Sequence, residues 1–138
     1  MTAVLFLSKG LIKMSVKING KKLHLTTFDV PTSGKNMRMC LVAQRDLAKE
    51  SESFDAFNKK VDALKKDEEL DSQTMIDFYD AQIKLIDTYS KFLKPILNLS
   101  DEQAQKLENS DFKDVVDLAN DVIAKVLGLD SSKSTDTK

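Results

Sequence analysis

The stretch from Tyr89 to Leu107, YSKFLKPILNLSDEQAQKL, constrains the fold more than any other part of the chain. Pro95 carries no amide proton and its ring meets the carbonyl of Lys91, so it reads as the stop of a helix. Ser100 stands three residues before Gln103, the spacing of a capping box that opens a new helix. Apolar residues continue across the interruption as Phe92, Leu93, Ile96, Leu97, Leu99, Ala104 and Leu107. Two helices that keep one apolar lining through a break must bury it together, which points to a helical bundle.

The same rhythm extends in both directions. Met75, Ile76, Phe78, Tyr79, Ile83, Leu85, Ile86 and Tyr89 predict one long helix over 73–94, capped by Asp71 or Ser72. Its apolar stripe is wide enough to need cover on more than one face. Met37, Cys40, Leu41, Gln44, Leu47 and Ala48 predict a helix over 35–50, and Phe54, Phe57, Val61 and Leu64 a second over 53–66, with Ser51-Glu52-Ser53 interrupting between them. A short helix over 101–108 follows Ser100. Ser110 or Asp111 opens a last one, whose apolar positions run from Phe112 to Leu127 and whose end suits Gly128 in a left-handed conformation. Ahead of the helices, Val16, Ile18, Leu23 and Leu25 alternate with polar residues on either side of Asn19-Gly20. That pattern predicts a hairpin from Ser15–Val16 to Leu25–Thr26 closed by a tight turn. Val30 to Gly34 reads as a turn or linker. The expected architecture is mainly α, of the α+β type: a small N-terminal β-hairpin followed by a compact bundle of about five helices. Residues 14–130 form the single domain. Residues 1–13 read as an upstream extension ahead of Met14, and 131–138 as a polar tail expected to be disordered.

Composition removes several classes of function. The chain has 138 residues, one Cys and one His. It therefore has no internal disulfide, and the usual zinc ligand sets cannot be assembled. Cys40 sits in a helical apolar pattern and reads as a buried, inert thiol; His24 reads as an exposed strand residue. The four Gly are scattered, with neither a P-loop nor a dinucleotide fingerprint. Asp77, Asp80 and Asp87 lie at helical spacings, but di-iron bundles also need Glu-x-x-His motifs, so a solvated acidic face is the expectation. No enzyme, metal or cofactor is expected. No stretch is long and apolar enough to cross a membrane, and the opening residues do not suit an export signal. Residues 1–49 hold nine Lys and Arg against two Asp, while the rest of the chain is acidic. The basic half leaves a nucleic-acid-binding or regulatory interaction protein as the alternative, although nucleic acid is not the expected partner because no DNA-reading motif accompanies the charge.

The block from Asp77 to Gly128 resembles the tail assembly chaperones of long, flexible-tailed bacteriophages and prophages of Gram-positive bacteria. The Phe92-Leu93 and Ile96-Leu97 pairs, the step Leu99-Ser100-Asp101-Glu102-Gln103 and the closing Val126-Leu127-Gly128 carry the resemblance, which extends over residues 15–128. It implies a protein of the host cytoplasm, absent from the finished virion, that coats the tape-measure protein and helps to recruit major tail (tube) protein around it. It also implies that this chain corresponds to the shorter of two frameshift products. Such a partner, a long helix with exposed apolar stripes, would need an apolar groove. Tyr89, Phe92, Leu93, Ile96 and Leu97 are the candidate partner-binding residues, with most of the last four expected to be core. Self-association through the hairpin edge or surplus apolar stripes is a further expectation.

Overall fold

The computed structural model describes residues 14–65 and 68–129. A two-stranded antiparallel hairpin, β1 (Ser15–Asn19) and β2 (Thr27–Pro31), leads into α1 (Gly34–Asp62), α2 (Ser72–Ile96), α3 (Asp101–Glu108) and α4 (Phe112–Leu127). The upstream extension and the polar tail lie outside the described residues.

The hairpin is longer and differently closed than the Asn19-Gly20 pair suggests. Val16 pairs with Val30 and Ile18 with Phe28. Because strand side chains alternate, these four share one face. Ile18 and Val30 are fully buried on it, and Lys17 and Asp29 form an ion pair at 2.9 Å on the other. The strands are joined by a single 3-10 turn, Lys21–Leu23, rather than by a two-residue turn. Asn19 accepts the Lys21 amide through its side chain at 2.9 Å, and the Leu23 and Leu25 amides both donate to the Gly20 carbonyl. Those local bonds favour the wider connection. It lets Phe28 and Val30 take the cross-strand positions while Leu23 and Leu25 still reach the core. His24 is exposed, as expected, but sits in this connection with φ 62° and not in a strand. Val30 and Pro31 belong to β2, so only Thr32 and Ser33 remain of the expected linker.

Gly20 is held by a close approach. A Cβ there would lie 2.8 Å from Leu25 Cβ and 2.9 Å from the Thr26 carbonyl oxygen. Gly20→Ala is therefore expected to lower stability by about 1–3 kcal/mol, read from denaturant unfolding, because the connection must open to admit the methyl group.

Ser33 caps α1, and Asn36 ties its first turn to the end of β2 by donating to the Pro31 carbonyl at 2.9 Å. α1 then runs unbroken for 29 residues, merging the two helices expected over 35–50 and 53–66. Among the described residues the bundle helices number four as a result. Ser53 is accommodated without a break, its hydroxyl lying 3.4 Å from the Lys49 carbonyl one turn earlier. Packing then holds the helix across the junction: Phe54 and Phe57 both meet Phe78 of α2, at ring separations of 5.8 and 3.9 Å.

α2 opens on Asp71, whose carboxylate accepts the Thr74 amide at 2.7 Å; hydrogen bonds from Thr74 hold that carboxyl below the usual carboxylate range. The helix passes through Pro95 and ends at Ile96. The stop is set by Asn98, which adopts φ 55°. The Leu99 amide bonds to the Lys94 carbonyl and the Asn98 amide to that of Pro95, the paired bonds of a Schellman motif. Buried Phe92 and Leu93 before the proline, and Ile96 and Leu97 after it, fix the chain on both sides of the missing bond. α3 opens on the Ser100–Gln103 capping box, with both reciprocal bonds formed. Ser100→Ala should cost about 1 kcal/mol, measured as a shift in the unfolding midpoint.

α4 forms one wall of the core. Val115, Leu118, Ala119, Val122, Ile123 and Val126 are all buried, spaced to lie on one helical face. Gly128 ends it with φ 73°, in the expected left-handed position. The core unites this face with Ile18, Leu23, Leu25 and Val30 of the hairpin segment, Cys40 and Ala43 of α1, the end of α2, and Leu107 of α3. Burial pushes the Cys40 thiol up to about 11, so it stays protonated and unreactive at neutral pH. Core burial stops abruptly along the two long helices. No residue from Ser51 to Asp62 or from Ser72 to Lys91 is buried. In that region α1 and α2 pack chiefly on each other.

A cleft between the two long helices

Where α1 and α2 leave the core, they enclose a cleft of about 660 Å³. Met39, Val42 and Ala43 of α1 face Ile83 and Phe92 of α2 across it. Arg38, Asp46, Asp80, Lys84, Asp87 and Lys91 surround these apolar walls with charge. Beside the mouth, Ile76, Tyr79, Ile83 and Ile86 recur at steps of three and four residues along α2, and each is at least 44% exposed. Residues at such steps form a continuous stripe on a helix surface. Ile83, 57% exposed, belongs to both the stripe and the cleft.

Glu50 also lines the cleft and is the one buried charged residue among those described, at 3% exposure. Its Oε2 lies 2.7 Å from the Thr88 hydroxyl. That hydroxyl is also 2.8 Å from the Lys84 carbonyl, so its single proton serves one acceptor at a time. Glu50 Oε1 has no hydrogen-bond partner among the described residues.

Of the five candidate residues, four are buried in the core, one of which also lines the cleft, and Tyr89 packs against the core. Leu93 is fully buried, and Ile96 and Leu97 are 5% exposed; all three are core. Phe92 is buried and lines the cleft. Tyr89 is half-buried, with its ring edge-on to Phe112 at 5.5 Å. Burial, and secondarily the charge of Glu50, raises the Tyr89 phenol above its usual value. Val42, Ile83 and Glu50 are cleft residues beyond those five. Ile83 was visible as part of the wide α2 stripe, whereas nothing near Glu50 in the chain distinguishes it from the exposed acids around it.

The cleft is suited to binding. Cys40 is buried in the core and His24 lies in the hairpin connection, so the two do not form a nucleophilic pair. Among the described residues, no group of three or more His, Cys, Asp or Glu could hold a metal ion, and no helix is long and apolar enough to cross a membrane.

A family model described as phage tail assembly chaperone proteins matches residues 14–138, and the chain belongs to that family. Its general role is accordingly that of a chaperone in the assembly of phage tails. The resemblance carried by Phe92-Leu93, Ile96-Leu97 and the Leu99–Gln103 step thus holds at the level of the family. No curated protein and no solved structure is matched by the chain.

Proposed function

We propose that the protein is a non-enzymatic chaperone that binds the tape-measure protein of a long, flexible-tailed phage and helps to recruit tube subunits around it. It acts in the cytoplasm of a Gram-positive host and leaves before the virion is complete. The observation that carries this reading is the cleft between α1 and α2. Its apolar walls, charged surround and adjoining stripe of exposed Ile and Tyr suit an amphipathic helix laid along it. A tape-measure protein offers such helices in quantity, and covering them would keep the long chain soluble. Phe92 contributes to the cleft wall, while Tyr89 packs against the core and edge-on to Phe112, and Leu93, Ile96 and Leu97 are core residues.

Co-expression with the tape-measure protein of the same phage tests the reading. A soluble complex is expected, recovered through a tag on either partner. Equal insolubility of the tape-measure protein with and without this chain, and no recovered complex, would reject it.

A further inference from the structure

Glu50 gives the cleft a preference that its apolar walls alone would not. We infer that the cleft selects a helical segment of the tape-measure protein carrying a Lys or Arg flanked by apolar residues, with the cation seated against Glu50. This rests on the proposed function above and specifies the chemistry of the partner at that site.

The argument starts from the incomplete surroundings of the carboxylate. Glu50 is 3% exposed, Oε1 has no partner, and the proton of Thr88 is divided between Oε2 and the Lys84 carbonyl. None of the ion pairs among the described residues includes Glu50. The three cations that line the cleft, Arg38, Lys84 and Lys91, are thus beyond ion-pair distance of it. A carboxylate withdrawn from water and left under-bonded is costly, and a charged donor relieves that cost far better than a neutral one. A serine or glutamine on the partner could fill the vacant acceptor position but would leave the negative charge uncompensated. A Lys or Arg supplies charge and donor together, and its aliphatic stem can lie along Val42 and Ile83 while the head reaches inward. Asp46, Asp80 and Asp87 are matched in number by Arg38, Lys84 and Lys91 around the cleft, so the preference for a cation rests on Glu50 itself.

The experiment uses the full chain and overlapping synthetic peptides that tile the tape-measure reading frame. Peptides that bind are expected to hold a Lys or Arg within an apolar helical stretch. Changing that residue to Met should weaken binding to the wild-type chain at least about tenfold, and should have little effect on binding to Glu50→Gln; that non-additivity is the mark of direct contact. The peptide-side change needs only the wild-type chain, so it decides the matter even where Glu50→Gln does not fold. Equal binding by the Met peptide overturns the cation preference and leaves the proposed function standing. Glu50→Gln altering the size of the free protein in light scattering, with peptide binding unchanged, also overturns it and assigns the cleft to a second copy of the chain. Failure of every tape-measure peptide to bind the wild-type chain, where co-expression also yields no complex, rejects both.

Discussion

Leu93→Ala is expected to lower the unfolding free energy by about 3–4 kcal/mol and the melting temperature by roughly 10 °C. Leu93 is fully buried near the end of α2, within the core that joins the hairpin, α1, α3 and α4. Removing its isobutyl group forfeits the transfer free energy of that group and leaves a cavity that well-packed neighbours cannot close. The helix around it has little reserve, because Pro95, two residues on, has already removed one backbone hydrogen bond. A loss of this size is a large fraction of the 5–15 kcal/mol typical of a domain. Denaturant unfolding, with the slope unchanged, would measure it. The folded fraction should bind its partner normally, since Leu93 does not line the cleft. A cost below about 1 kcal/mol, or selective loss of binding in a stable variant, would put Leu93 on the partner surface and not in the core.

The features that could be read from the chain are those decided within a few residues. Ser100 and Gln103 bond to each other's backbone, so their spacing sufficed. Asp71 and Gly128 likewise act on their own helix ends, and α4 has one apolar face that could face only the core. Readings failed where distant parts of the molecule overrode a local preference. Asn19-Gly20 favours a tight turn, but Phe28 and Val30 bury more apolar surface opposite Ile18 and Val16 than that turn would allow. Pro95 ends a helix in isolation, yet buried residues on both sides carry α2 past it to Ile96. Ser51-Glu52-Ser53 resembles a break, until α2 supplies Phe78 as a contact for the aromatic residues beyond. The cleft depends on the same long-range information. The α2 stripe covers more than one face, and only the point where the core stops decides which apolar residues are buried and which are exposed. Met37, Leu41 and Ile83 read as readily as core positions as Leu93 does; the structure leaves them 39%, 58% and 57% exposed.

The double substitution Val42→Gln and Ile83→Gln should separate binding from folding. Both side chains line the cleft from opposite helices, and both are substantially exposed in the free protein, at 38% and 57%. Glutamine is as good a helix former as either residue, so the change in stability should stay within about 1 kcal/mol. Binding is expected to respond quite differently. A partner helix that covers these residues gains free energy by removing them from water, and central apolar contacts of this kind commonly contribute about 2 kcal/mol or more. Loss of about 2 kcal/mol corresponds to roughly a thirtyfold rise in Kd. Neutral glutamine also leaves the charges around the cleft unchanged, so the effect would report apolar contact without altered attraction. Titration calorimetry against tape-measure peptides would show it, and the variant should display a less negative heat-capacity change on binding because less apolar surface is buried. Unchanged affinity in a folded double variant would place the partner elsewhere. Weakened binding together with an intact melting transition would mark the surface between α1 and α2 as the part of this chaperone that holds its client.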